Sequence, residues 1–223
     1  MSESSITLMQ GMRGQGKTNA AMVELHNVSP LFVIALRPKD WTWMPITFYS
    51  FRDFVYWGVS RSHLNKKMQV RFAFGTMDAY IELFNAMGQS FQNSTIVIDE
   101  ADAFYSVPKF EQPLNNLFLG SRNNNLNLYY MVKRPTLVPV LVRSQVDRFL
   151  VFRTEEQWDI DYLSKRTRKI FPKDPFKLDI GEAIILRQGE EHPVLYRFPK
   201  FSPSTTNSNT GENPARRLIT LKA

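Results

Sequence analysis

Cysteine is absent from the 223 residues, so disulfides and thiolate metal sites have no part in this fold. Histidine occurs only at His26, His63 and His192, and that spacing does not bring two imidazoles to one metal ion. No apolar run approaches the roughly 20 residues that span a bilayer, and the first residues lack the basic-then-apolar pattern of a leader. The expectation is a protein made and kept in the cytoplasm. Acidic residues are in deficit, 21 against 28 basic, giving a net charge of +7. That excess favours a polyanionic partner without demanding one, because neutralising phosphates releases counterions. Glycine is scarce too, at 10 residues. Three of those glycines, Gly11, Gly14 and Gly16, nevertheless fall within one short stretch.

That stretch, Gly11-Met12-Arg13-Gly14-Gln15-Gly16-Lys17-Thr18, is a complete Gly-x-x-x-x-Gly-Lys-Thr loop. The glycines let successive backbone N–H groups curl toward phosphate oxygens. Lys17 reaches the β- and γ-phosphates, the Thr18 hydroxyl ligates Mg²⁺, and Asn19 continues into a helix whose dipole favours anions. The flanks agree with this, since Ile6–Gln10 reads as a buried strand and Thr18–His26 as a helix.

A phosphate cradle binds, but hydrolysis also needs a metal carboxylate and a group that orients water. The β-branched run from Thr95 to Ile98 ends in Asp99 and Glu100, about 80 residues after the loop. At a strand tip Asp99 is placed to hold the metal's water shell, and Glu100 to polarise the attacking water. The run Asp99-Glu100-Ala101-Asp102 also spells a helicase signature, but such helicases need two nucleotide-binding cores and this length holds one. Transfer to a small bound substrate is disfavoured, because paired Asp-Glu suits water activation.

Nine strands are expected, at Ile6–Gln10, Leu31–Leu36, Ile46–Phe48, Val70–Phe74, Thr95–Asp99, Leu126–Val132, Phe149–Arg153, Glu182–Arg187 and Val194–Phe198. Helices are expected at Thr18–His26, Met77–Met87, Pro113–Asn123, Val138–Gln145 and Glu156–Lys169. Alternation of this kind builds a mostly parallel α/β sheet flanked by helices, and the last two strands form an antiparallel hairpin at one side. Residues 1–201 then form one domain, and 202–223 a polar linker and tail. Aromatics crowd Trp41 to Trp57 among Arg37, Lys39, Arg52 and Arg61; core or subunit packing is favoured there over stacking on single-stranded nucleic acid. The basic run Lys165–Lys169 complements a helix C-terminus and is a secondary candidate for DNA phosphate contact.

Beyond the Asp-Glu pair, Gly120-Ser-Arg122 closes a helix. A strand follows and ends at Lys133-Arg134-Pro135, then comes a short helix with Ser144-Gln145, and late in the chain Gly181-Glu-Ala-Ile-Ile. This order resembles the FtsK/HerA group of DNA-pumping ATPases, from about residue 5 to 198. Within the group it is most like the genome-packaging ATPases of icosahedral viruses with an internal membrane, the tectivirus type. The resemblance implies a P-loop NTPase fold of RecA/ASCE type, ATP and Mg²⁺ as ligands, and a homohexameric ring around double-stranded DNA. It makes Arg122 the arginine that completes a neighbouring subunit's site, with Arg143 and Arg148 competing for that role. At Lys133 the group usually has Gln, an amide that senses the γ-phosphate; Lys can contact phosphate only as a point charge.

The expected function is therefore ATP-driven translocation of double-stranded DNA into a preformed viral capsid, in the host cytoplasm and in association with the virion. Capsid-vertex or membrane-associated viral proteins are the further expected partners. The alternatives are an assembly or export ATPase of the zonula-occludens-toxin type, whose members usually carry a membrane-spanning helix, and a nucleotide-gated scaffold.

Overall fold

The structure is a computed structural model that describes residues 4–37, 39–60, 68–167, 171–190 and 192–203. Among these residues nine strands form one sheet: β1 (Ile6–Gln10), β2 (Leu31–Ile34), β3 (Ile46–Phe48), β4 (Gln69–Phe72), β5 (Thr95–Ile98), β6 (Asn127–Val132), β7 (Arg148–Val151), β8 (Glu182–Arg187) and β9 (Val194–Arg197). Their order is β3-β4-β2-β5-β6-β1-β7-β8-β9. Pairing is parallel from β3 through β7 and antiparallel for β7–β8 and β8–β9. The expected sheet and C-terminal hairpin are both present.

Every residue of β1, β2 and β5 is buried, because a parallel strand in mid-sheet is covered on both faces and so reads as a continuous apolar run. The two faces carry separate cores. One packs Leu8, Phe72, Ile96 and Tyr130 under α2 (Phe51–Ser60), α3 (Ala79–Ser90), α4 (Ala101–Tyr105), α5 (Glu111–Ser121), α6 (Val140–Ser144) and α7 (Gln157–Thr167). The other packs Met9, Val33, Val97 and Met131 under α1 (Lys17–Leu25), the segment around Trp41 and Met44, and Phe198.

Helix α3 buries Tyr80, Leu83, Phe84 and Met87, a one-face spacing, and α5 buries Leu114, Leu117 and Phe118. These two helices touch backbone to backbone: a Cβ on Gly120 would lie 2.9 Å from the Gly88 carbonyl oxygen.

Two helices differ from the expectation. Helix α2 occupies the aromatic stretch, where Phe and Trp have only middling helix propensity. Its Phe54 and Trp57 nevertheless pack on Phe48, at 5.4 and 5.5 Å between ring centroids, so tertiary burial overrides propensity. Helix α4 has five residues, too few to show a period. The favoured reading of the aromatics holds for Trp41 and Phe48, which are buried, whereas Tyr49 and Tyr56 are exposed. The tail from 204, and Arg168 and Lys169 of the basic run, lie outside the described residues.

Candidate nucleotide site

β1 delivers the chain at the C-terminal edge of the sheet, where β6 and β7 flank it and strap the loop. Gly11 N–H donates to Val132 O at 3.3 Å and Met12 N–H to Arg153 O at 2.9 Å. Gly11, Gly14 and Gly16 have φ of +147°, +80° and +100°, a backbone that side chains rarely tolerate. At Gly11 space is limiting as well, since a Cβ there would stand 2.6 Å from Phe152 Cβ. α1 starts directly after Gly16, so its unsatisfied N–H groups face the loop's concavity.

The loop borders a cavity of about 310 Å3, to which Arg13, Gly14, Gly16, Lys17, Thr18 and Asn19 contribute. β6 separates β1 from β5, so the tip of β5 stands about 10 Å from the loop strand, two strand spacings away. Across that gap Asp99, Glu100 and Asp102 line the same cavity, with Lys133 at the end of the intervening β6. Arg37 and Asp40 enter from the segment after β2, which neighbours β5.

Lys17 donates its Nζ protons to Gly11 O at 2.5 Å and Met12 O at 2.9 Å. Burial lowers its pKa to about 8, against the opposing pull of Asp99 and Asp102. The buried Asp99 carboxyl is raised to about 6, chiefly by desolvation and despite the N–H of Trp41 at 3.1 Å. Glu100 sits at φ +56°, a left-handed backbone between β5 and α4, and pairs with Arg37 at 2.5 Å. Asp102 accepts a hydrogen bond from Lys133 N–H at 3.4 Å, and its other oxygen is buried with no partner among the described residues.

Four basic side chains (Arg13, Lys17, Arg37, Lys133) thus face four acidic ones (Asp40, Asp99, Glu100, Asp102). Among the described residues no group of three carboxylates or histidines could hold a metal ion alone. That donor set fits Mg²⁺, which dehydrates reluctantly and is held through one or two protein oxygens plus substrate phosphates. Thr18 and Asp99 are the residues that would hold it, and the buried unpaired oxygen of Asp102 marks further anionic capacity nearby.

The sequence matches no protein-family model and no curated protein. Solved structures do match. The genome packaging NTPase B204 from Sulfolobus turreted icosahedral virus 2, in complex with ATP-gammaS, superposes with a TM-score of 0.65 at 17% identity, over 88% of this chain and 98% of that one. The cytoplasmic domain of the type VII secretion ATPase EccC from Thermomonospora curvata gives 0.55 at 14% identity, over 89% of this chain and 24% of that one. The chain has the P-loop NTPase fold.

In P-loop terms the structure gathers Lys17, Thr18, Asp99, Glu100 and Lys133 around one cavity, whereas Gly11, Met12 and Gln15 support the loop from outside it. The Asn19 side chain is engaged elsewhere: Nδ2 donates to Pro199 O at 2.8 Å and Oδ1 accepts from Phe201 N–H at 2.7 Å. Asn19 nevertheless lines the cavity, at the N-terminal turn of α1. Gln15 O accepts Gly181 N–H at 3.1 Å, so the hairpin braces the P-loop from the side.

Arg122 closes α5 at the opposite edge of the sheet, where the parallel strands begin, and meets Asp147 at 3.5 Å with 55% of its side chain exposed. Arg148 forks onto Glu24 in a largely buried pair. The Arg143 guanidinium lies 4.6 Å from the centre of the Tyr162 ring. Of the three arginines, Arg122 is the one that projects into solvent.

Sequence reasoning missed Arg37, Asp40, Trp41 and Asp102. Asp102 stands in the Asp-Glu-Ala-Asp run, where sequence alone assigns it no role. The other three follow β2, and only the pairing of β2 with β5 brings them to Asp99.

Proposed function

We propose that the protein is an ATP-driven double-stranded DNA translocase, working as a homohexameric ring that packages a viral genome into a preformed capsid in the host cytoplasm. One observation carries the reading: the P-loop, the Asp99-Glu100 strand tip and Lys133 converge on a single cavity, while Arg122 projects from the far edge. The likeness to B204 of Sulfolobus turreted icosahedral virus 2, a genome packaging NTPase, and to B204 of Sulfolobus turreted icosahedral virus, a DNA-packaging ATPase, supports it. Among the described residues no helix is long and apolar enough to cross a membrane.

The nucleotide would supply the phosphoryl group, and Mg²⁺ would offset its charge. Lys17 leaves the two loop carbonyls to bind phosphate oxygens. Asp99 and Thr18 are the residues that would hold the metal. Glu100 must part from Arg37 before its carboxylate can orient water, and Arg37, freed within the same cavity, is then available to anionic oxygen. Arg122 of another copy would place positive charge where negative charge develops in the transition state. Basic residues lining a channel would grip DNA phosphates without reading sequence.

The test is ATPase rate against protein concentration, with and without double-stranded DNA, beside a Glu100→Gln protein. A rate that rises cooperatively, increases with DNA and disappears in Glu100→Gln is expected. A flat, DNA-independent rate would remove the translocase reading, and undiminished turnover in Glu100→Gln would remove Glu100 from its role. The same fold in the secretion ATPase EccC makes a polypeptide-moving motor the second reading, which DNA-independent but cooperative hydrolysis would favour.

A further inference from the structure

The segment after β2 contains no recognisable catalytic motif, yet it reaches the metal carboxylate. Ile34 at the end of β2 lies beside Ile98 at the end of β5, so the chain leaving β2 turns across the strand tip that carries Asp99. Trp41 in that turn is fully buried, and its indole Nε1–H donates to Asp99 Oδ2 at 3.1 Å. Among the described residues this is the one hydrogen bond to the Asp99 side chain.

The backbone shows how firmly the indole is held. Trp41 has φ +60°, a left-handed conformation that a bulky residue adopts only where its surroundings over-determine it. Those surroundings are explicit. Arg71, itself buried in β4, donates from Nη1 to Asp40 O at 2.6 Å and from Nε to Thr47 Oγ1 at 3.2 Å, pinning the peptide just before Trp41. Trp41 O accepts Met44 N–H at 3.2 Å, and the ring packs beside Trp43 in the α1-side core.

A tryptophan that only filled this core would need some acceptor for its N–H, and a backbone carbonyl would serve. Here a strained residue, anchored by a buried arginine, spends its single donor on the carboxylate opposite Lys17 and Thr18.

We propose that Trp41 is a positioning residue for the metal carboxylate: its N–H fixes one oxygen of Asp99, so that the other meets the Mg²⁺ that accompanies the nucleotide. A neutral donor is suited to this task, because it orients the carboxylate without cancelling the charge the metal needs. Outer partners of this kind set metal affinity, and their loss typically costs about 10–100-fold. The inference rests on the Mg·ATP reading of the cavity.

The test replaces Trp41 with 3-benzothienylalanine, which keeps the ring shape and puts sulfur where the N–H was, alongside Trp41→Phe. The probe is the methylanthraniloyl derivative of ATP, titrated by fluorescence first in EDTA and then with increasing Mg²⁺. Affinity in EDTA is expected to stay within about twofold of wild type, while the half-saturating Mg²⁺ concentration rises about tenfold or more. Unchanged Mg²⁺ half-saturation in the benzothienyl protein overturns the proposal. So does an equal loss of affinity in EDTA, which would make Trp41 a packing residue of the P-loop side. If wild type itself binds the probe with no response to Mg²⁺, the reading of the cavity fails, and that outcome is visible before any variant is made.

Discussion

Arg148 offers the sharpest separation between a structural arginine and one that acts on a neighbour's nucleotide. Its Nη1 reaches Glu24 Oε2 at 3.0 Å and its Nη2 binds the other carboxylate oxygen, with 17% and 11% of the two side chains exposed. The pair ties β7 to the C-terminal half of α1, the helix that carries the P-loop lysine at its start. Burial would depress the guanidinium's charge, but Glu24 more than offsets this and holds its pKa above the ordinary value. Arg148→Met leaves Glu24 buried and unpaired beside Tyr129, whose hydroxyl burial already raises to about 12. Breaking such a pair from one side costs about 3–5 kcal/mol, whereas replacing both partners with apolar residues is often neutral. For a domain of this size that loss corresponds to a fall of roughly 6–20 °C in Tm. The assay is thermal unfolding of wild type, Arg148→Met and Glu24→Met/Arg148→Met, with ATPase measured per folded molecule at a temperature where all are native. The single variant should lose stability, the double variant should regain most of it, and both should keep their turnover. A single variant of unchanged Tm that has lost its ATPase, and regains it in assemblies that supply Arg148 from another copy, would refute the structural assignment.

Two further outcomes follow from the site. Because burial lowers Lys17 to about 8, it loses its proton as pH rises through that value while a bound phosphate favours the charged form. Nucleotide affinity should therefore fall between pH 7 and 9.5, with proton uptake measurable by calorimetry in two buffers at pH 8; a flat affinity would contradict it. Arg122→Ala and Glu100→Gln should each be inactive alone and, mixed equally, recover about a quarter of the wild-type rate, since only sites pairing an intact Glu100 with a neighbour's intact Arg122 can turn over. No recovery would remove Arg122 from a trans role.

The fold was unusually open to sequence reading because its central strands are buried on both faces. Runs such as Thr95–Ile98 have no competing helical period, and all nine expected strands are present with ends shifted by at most two residues. What escaped was set by tertiary pairing. Helix α2 is held by Phe54 and Trp57 against the sheet edge rather than by its own propensity. The loop and the Asp-Glu tip were legible in the site because each is contiguous in sequence and its chemistry demands those residue types. Arg37 and Trp41 were not, because their partners Glu100 and Asp99 lie about 60 residues away and meet them only through the β2–β5 register. Asn19 lines the cavity, as its position beside Thr18 suggests, but the second task of its amide, bonding Pro199 and Phe201 some 180 residues away, is visible only in the fold.

On the proposed reading, the charge balance of the cavity leaves a single copy short of positive charge. Among the described residues one chain lines the cavity with four cations and four carboxylates, and one of the cations, Arg37, is already paired with Glu100, the residue proposed to orient water. A triphosphate with one Mg²⁺ still brings net negative charge, and more accumulates on the phosphoryl oxygens as the reaction proceeds. Freeing Arg37 supplies one positive charge only by releasing Glu100 as an uncompensated anion, so within the chain the two effects oppose each other. A cation from outside the chain resolves the conflict, because it adds positive charge at the phosphates while Glu100 is freed from Arg37 to orient water. Arg122 has the properties required: it is exposed, held by one long contact to Asp147, and carried on the edge of the sheet that its own nucleotide cavity does not occupy. Hydrolysis gated in this way would depend on how the next copy is seated, which is the dependence a ring needs if its subunits are to fire in relation to one another.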